Sequence, residues 1–398
     1  MPDIHGNLLS PKRIGIYLAL AFLLIPAVHL FAETNTMLYA GYLGVLGFLC
    51  CFAIMPIACL GAEKLRLVDA PDEARKTHAH PTPLAGGIAI YVAFMVTILL
   101  NFHFSEEMKA IVAGGTLIFI VGLADDAVGL SARVRLVAQL AAAGLLVAMG
   151  VHVTFVPNWL GGIFTETVIT LIWIVGITNS MNFIDGMDGL AGGASIIHGF
   201  FFGLVALLTQ QAYMMYLAVA IAGSSLGFIP YNFRKTKPAA VFLGDSGATF
   251  LGFVLASFAI LGDWGESFVD LAVPVLIMSV LIFDMTLTTV VRITSKEVRS
   301  IGEWLHYTGR DHFHHRLADL NVGKRNAAWL FFSVSVCFAI EAVIVLYAET
   351  TAALLVLLHS IIAFTILGII LVVSAPSRKD AKTVTVDKQN GSGGPHGS

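Results

Sequence analysis

The segment Asn179 to Gly193, NSMNFIDGMDGLAGG, follows an apolar run yet carries two amides, two carboxylates and four glycines. Asn179, Asn182 and Asp185 are spaced three apart, which places them along one ridge of a helix. Gly186 and Gly189 allow the backbone to break after that ridge, and Asp188 sits in the break. Four oxygen-bearing side chains leading into a glycine-hinged turn can coordinate a cation or hydrogen-bond a nucleotide base. A plain polar helix end closed by glycine would need only one Asn.

Other polar clusters interrupt the same apolar chain. Asp125 and Asp126 close one hydrophobic run, with Arg133 and Arg135 just beyond. Neighbours in a helix point about 100° apart, so both face one ligand only if the helix ends there or a cation lies between them. An acidic pair beside basic residues suits a divalent cation together with an anion. Magnesium with a phosphate fits, because hard cations take oxygen ligands and share them with substrate phosphates. An ordinary interfacial acidic pair is the alternative. In VFLGDSGA, Asp245 stands where Ser246 and Gly247 open a helix whose free N–H groups could hold an anion, or it is a routine N-cap. Phe242 could stack on a base or pack in lipid. HFHHR offers His312, His314, His315 and Arg316. Zinc would need further Cys or spaced His ligands, so phosphate binding or protonation near neutral pH suits this loop better.

These groups have to be positioned by a membrane-embedded scaffold. Of 398 residues 57% are hydrophobic and 12% charged, with a mean hydropathy of +0.84, which excludes a soluble domain. Apolar runs begin near Ile14, Leu38, Leu84, Ile111, Val134, Val168, Leu190, Tyr213, Ser246, Leu271, Ala327 and Ala353. They predict an all-α polytopic membrane protein of about 11–12 transmembrane helices. The pieces around Gly161 and Gly262 could be re-entrant. Residues 1–375 read as one multi-span catalytic domain and 376–398 as a polar, disordered cytoplasmic tail or an appended linker, outside the fold. Ile14 to Phe31 lacks a small-residue cleavage site, so insertion is expected to use internal spans. Cys50, Cys51, Cys59 and Cys337 lie in or beside apolar runs without metal-ligand spacing and imply no disulfide framework. Threading the chain through the spans puts Lys12, Arg13, Lys64, Arg66, Arg133, Arg135, Lys235, Lys296, Arg316 and Arg325 on one side and only Lys109 clearly on the other. By the positive-inside tendency the first side is cytoplasmic, and every polar cluster falls on it. Loops converging on one face of a bundle are a way to build a site from discontinuous sequence.

Five segments carry a resemblance: RKTHAHPTPLAGG, the DD pair, NSMNFIDGMDGL, VFLGDSGA and HFHHRL, in this order between about Asp69 and Leu317. In them the chain resembles the polyprenyl-phosphate N-acetylhexosamine-1-phosphate transferases, the membrane family of the GlcNAc-1-phosphate transferases and the peptidoglycan translocase. HFHHR is similar to the GlcNAc branch more than to the translocase. Two features depart from the family. Where many relatives read D-D-x-x-D or D-D-x-x-K this chain has Gly129, so that contribution is expected to be absent or supplied by a neighbour such as Arg133. The stretch Asn232 to Pro238 carries a basic RKTK, and there is an extra amino-terminal span.

The resemblance implies transfer of a sugar 1-phosphate from a UDP-amino sugar to undecaprenyl phosphate at the bacterial inner membrane, with UMP released and the site facing the cytoplasm. It implies Mg2+ as cofactor, with Mn2+ able to substitute, on Asp245 and Asn182. Asp125, Asp126 and Asp185 match catalytic positions. Asp188 and Phe242 match uracil-binding positions and Arg135 a diphosphate-facing cation, with Asn179 also on the substrate side. His314, His315 and Arg316 match the sugar and phosphate loop, and Lys76 and His78 the first loop. UDP-GlcNAc is the expected donor, with UDP-GalNAc and UDP-MurNAc-pentapeptide behind it. The product would prime a cell-surface polymer such as O-antigen. Membrane lipid is the expected surrounding, nucleic acid is not a partner, and oligomeric state is left open, a homodimer being the pairing relatives often show. A competing class is a transporter, for which Asp284 and Glu341 inside spans would be proton-path candidates.

Overall fold

The computed structural model describes residues 11–69, 81–101, 105–264, 268–296, 298, 312–317 and 322–373. Each of the twelve apolar runs is helical: α1 (Pro11–Leu23) with α2 (Pro26–Ala32), α3 (Thr36–Lys64), α4 (Gly86–Asn101), α5 (Glu106–Val128), α6 (Ala132–Ala148), α7 (Ile163–Ile184), α8 (Leu190–Leu208), α9 (Ala212–Asn232), α10 (Gly244–Leu261), α11 (Ala272–Ile277) with α12 (Ser279–Thr294), α14 (Lys324–Tyr347) and α15 (Thr350–Val373). A five-residue helix, α13 (Phe313–Leu317), precedes α14. Among the described residues eight helices are long and apolar enough to cross a membrane: α3, α5, α7, α8, α9, α10, α14 and α15. The pair α1 and α2, bent by 67° where Pro26 opens the second helix, makes a ninth if it counts as one span. The remaining runs fall short for local reasons. α4 has 16 residues, about 24 Å of helix, and α11 gives way to α12 at Met278.

Local sequence sets the helix ends that matter for the site. Ser105 caps α5, its hydroxyl accepting the Met108 N–H at 3.2 Å. Gly129, at φ +67°, stops α5 in the left-handed region that few other residues tolerate. Ser131 then caps α6. This three-residue link from Gly129 to Ser131 turns the chain back, so the last turn of α5 faces the first turn of α6.

The central helix is α10, which packs against α4, α5, α7, α8 and α9 and buries every residue from Ser246 to Ala259. In lipid the hydrophobic effect does not drive helices together, so close packing and interhelical hydrogen bonds carry the association. Both occur here. A Cβ on Gly87 of α4 would stand 2.6 Å from Gly247 Cα, and one on Gly122 of α5 2.5 Å from Ser246 Cα, so α10 begins where only glycines let three helices meet. Trp173 Nε1 donates to Ala256 O at 3.1 Å, and Ser180 Oγ to Leu281 O at 2.7 Å, joining α7 to α10 and α12. At the periphery α15 is mostly exposed, as a helix facing lipid would be.

Before α4 the strand β1 (Val68–Asp69) pairs antiparallel with β2 (Thr82–Pro83). Leu84 bridges in parallel to Phe242. Phe242 N–H donates to Pro83 O, Gly86 N–H to Phe242 O and Gly87 N–H to Leu243 O, each at 2.9 Å. The PTPLAGG segment is thus a strap that holds the residues entering α10.

Candidate active site

At one end of the bundle the last turns of α5 and α7 meet the first turns of α6 and α10. Asp125 and Asp126 diverge there, as neighbours on a helix must. The Asp125 carboxylate turns to α6: Oδ1 accepts the Leu130 N–H, and Oδ2 lies 2.8 Å from Arg135 Nη1. The Asp126 carboxylate turns to α10, accepting the N–H of Asp245 at 2.7 Å and of Ser246 at 3.1 Å. It is an N-cap supplied by a different helix, satisfying donors that a helix start leaves without partners. Gly244 makes room for it. This residue adopts φ +79°, and a Cβ there would stand 2.7 Å from Asp126 Oδ2.

Asp245 is bonded from two directions. Asn182 Nδ2 donates to its Oδ1 at 2.7 Å, and Arg135 Nη1 lies 3.5 Å from its Oδ2. Arg135 therefore spans Asp125 and Asp245, residues 120 apart in the chain. Arg133, expected as a stand-in for the missing side chain at position 129, is exposed; Arg135 is the neighbour that meets the pair.

Asp185 follows α7 directly, and among the described residues no hydrogen bond reaches its carboxylate. Burial first, then the charges of Asp245, Asp126 and Asp188, push it well above the usual carboxylate range. The cluster thus gathers Asp125, Asp126, Asp185 and Asp245 at one end of the bundle, with one guanidinium bonded to two of them, an excess of negative charge that a divalent cation would relieve. Among the described residues no three His, Cys, Asp or Glu side chains close into a metal cage. Asp245 with Asn182 is a sparser set, and it fits Mg2+, which is held by one or two carboxylates plus water and substrate phosphates.

The remaining expected residues divide. Asn179 pairs with Gln139 of α6, donating at 2.7 Å and accepting at 3.3 Å, and also donates to Val175 O at 2.7 Å. This amide pair sits one turn below Arg135 and ties α6 to α7. Asp188 is exposed and accepts the Ala239 N–H at 3.3 Å. Phe242 is partly buried, its backbone bonded to the strap. Arg316 lies on α13 with His314 and His315. That helix is docked through His312, whose ring lies 4.8 Å from the Phe183 ring, one residue from Asn182. Lys76 and His78 lie outside the described residues.

Two residues that sequence reasoning passed over also shape this end. Asn232 accepts the Gly189 N–H and donates to Val241 O at 2.8 Å, joining the glycine turn to the segment that enters α10. Gln139 is the other. Each is a lone amide in an apolar helix, and such a group must find a partner.

Comparison with known proteins bears on what this end does. Residues 108–263 match the profile of glycosyl transferase family 4. A protein of Bacillus subtilis, a probable undecaprenyl-phosphate N-acetylglucosaminyl 1-phosphate transferase, is 31% identical over 336 residues, covering 81% of this chain and 90% of that one. The chain belongs to glycosyl transferase family 4. It is thus one of the polyprenyl-phosphate N-acetylhexosamine-1-phosphate transferases that its motifs resemble. A decaprenyl-phosphate N-acetylglucosaminephosphotransferase of Mycobacterium leprae is 31% identical over 316 residues, covering 68% of this chain and 75% of that one. A phospho-N-acetylmuramoyl-pentapeptide-transferase of Bacillus cytotoxicus is 30% identical over 242 residues, covering 54% and 72%. The family 4 match contains all four clustered aspartates, Asn182 and Arg135. Membership in a family of phosphosugar transferases removes the ground for a transporter, and both of its candidate carboxylates are bonded locally. Glu341 is held by His359 Nδ1 at 2.8 Å and by Ser360, and Asp284 by His312.

Proposed function

We propose that this transferase moves a HexNAc 1-phosphate, GlcNAc 1-phosphate foremost, from a UDP-sugar to undecaprenyl phosphate. It would release UMP at the cytoplasmic face of the bacterial inner membrane, and the product would prime a surface polysaccharide. The observation that carries the reading is Arg135 bonded at once to Asp125 and Asp245, with Asn182 on the latter. Two of the relatives described above bear GlcNAc transferase names, and the one bearing the muramoyl-pentapeptide name aligns with less of this chain.

Reaction between two anions is slow through charge repulsion and disorder, so the protein's share is neutralisation and positioning. A phosphate oxygen of the lipid attacks the β-phosphorus, and the bond to the α-phosphate oxygen breaks, its electron pair leaving with UMP. The acceptor's second pKa is roughly 6, so at neutral pH it is largely ionised and needs little help from a base. Asp245 and Asn182 would hold Mg2+, whose contribution is charge neutralisation at the diphosphate. Arg135 adds fixed positive charge. Asp126, with both oxygens on α10, holds Asp245 in place, and Asp125 holds Arg135; Asp185 is left to orient the incoming phosphate. Direct attack is favoured over an aspartyl-phosphosugar intermediate, which would show as UMP release without the lipid.

The test is purified protein in detergent with Mg2+, undecaprenyl phosphate and a panel of UDP-sugars, read as UMP and lipid product. Turnover with UDP-GlcNAc above the other donors is expected. Preference for UDP-GalNAc or UDP-MurNAc-pentapeptide would replace the donor, and no turnover with any would overturn the reaction.

A further inference from the structure

Asp284 lies on α12 with no exposed surface, and no step of the transfer uses it. A buried carboxylate is strongly disfavoured unless its oxygens are bonded. Both partners come from 28 and 29 residues downstream. His312 Nδ1 donates to Oδ2 at 2.9 Å, and the Phe313 N–H donates to Oδ1. Thr288 and Arg292 continue the same face of α12 at four-residue spacing, and both are buried. Arg292 Nη2 lies 3.5 Å from His312 Nε2. A guanidinium only donates, so Nε2 presents its lone pair there and Nδ1 carries the proton that Asp284 accepts. The ring is held in one tautomer and orientation, and its face lies against Phe183. Phe313, also without exposed surface, wedges between Phe283 and Phe331.

We propose that Asp284 and His312 are a positioning pair that docks α13 beside Asn182 and so sets the affinity for the sugar-nucleotide donor. The proposal rests on the transferase reading. α13 carries His314, His315 and Arg316, and this pair ties its start to α12. Because Phe183 lies between Asn182 and Asp185, the helix is registered against the cluster through one ring contact. Without the pair, the energy that orders α13 would have to come from the donor, which lowers donor affinity. The proposal assigns α13 to the donor alone, so the affinity for the lipid acceptor stays.

The test compares Asp284→Leu, which removes both acceptors at similar volume, with Asp284→Asn, which keeps the oxygen facing the Phe313 N–H. His312→Gln, which keeps a donor toward Asp284, is the third variant. Hydrogen exchange of residues 313–317 is read without substrates, and KM and kcat are read separately for donor and acceptor. Asp284→Leu is expected to speed exchange and to raise the donor KM about tenfold or more, with the acceptor KM within about twofold. The Asn and Gln variants should fall between it and the unaltered protein. A fall in kcat with both KM values unchanged would overturn the proposal, since a merely structural role lowers only the active fraction. So would unchanged exchange in a folded variant. Should Asp284→Leu not fold, the Asn and Gln variants decide by the same readings. If the unaltered protein turns over no donor, the transferase reading fails, and the exchange measurement still judges whether the pair docks the helix.

Discussion

Asp126 on α5 accepts the backbone N–H of Asp245 on α10 at 2.7 Å, so one acidic residue holds the backbone of another, 119 positions away. The side chain of Asp245 is thereby aimed at Asn182 and Arg135. Asp126→Ala should leave two helix-start N–H groups without acceptors. It is expected to cost about 1–3 kcal/mol of stability and to lower turnover in step. Asp126→Asn should lose less on both counts. Thermal unfolding in detergent beside kcat/KM checks this, and a turnover loss with no change in unfolding would make Asp126 a participant in the reaction instead.

Arg135 meets both carboxylates through one terminal nitrogen, Nη1, and a lysine side chain, one bond shorter, sets its ammonium short of that point. Arg135→Lys is expected to lose most of the activity lost by Arg135→Ala, about a hundredfold in kcat/KM. Arg133→Ala should stay within about twofold, because that side chain is exposed. Equal losses at the two positions would remove Arg135 from its assigned place.

Gly129 closes α5 at a φ of +67°, which explains the glycine in this chain. Gly129→Ala should cost about 1 kcal/mol through backbone strain alone. No atom lies near enough to clash with the added methyl. Chemical or thermal unfolding of the variant measures it, and a neutral result would show that the α5 to α6 link relaxes freely.

Gln139 and Asn179 exchange hydrogen bonds across α6 and α7. A double-mutant cycle with Gln139→Ala and Asn179→Ala should give a coupling of roughly 0.5–2 kcal/mol in stability. Additive effects would mean the pair does not join the helices. A larger kcat/KM loss for Asn179→Ala than for Gln139→Ala would give Asn179 a substrate contact besides.

Asp185 is pushed up by burial and by surrounding carboxylates. A carboxyl raised in the folded state stabilises it below the ordinary aspartate range, and that contribution is lost as pH rises through the raised value. In EDTA the Tm should therefore fall as pH climbs above the ordinary aspartate range, and Mg2+ should raise the Tm more at the upper end. Asp185→Asn should flatten both trends. A Tm in EDTA that rises with pH in step with ionisation of Asp185 would contradict the sign.

Much of this site is legible in the sequence because acids are conspicuous in so apolar a chain. Asp125, Asn182, Asp185 and Asp245 stand at the ends of hydrophobic runs, and those ends meet. Helix type follows from the same runs. What the sequence does not display are choices made across long separations. That Asp126 caps α10 while Asp125 meets Arg135 depends on how α5 packs against two other helices. Asp284 looks like a proton-path residue until His312 and Phe313 return to it. Span count is blurred for a local reason instead, since the break at Pro26 and the brevity of α4 leave hydropathy almost unchanged.

The central claim, that this end of the bundle transfers a sugar 1-phosphate to a lipid phosphate, is tested most directly by product analysis. Purified protein with UDP-GlcNAc, undecaprenyl phosphate and Mg2+ should yield UMP and GlcNAc-diphosphate lipid in equal amounts. Asp245→Asn, still folded, should lower both by about a hundredfold or more. Full turnover by that variant, or no lipid-linked product from the unaltered protein with any UDP-sugar, would contradict the account.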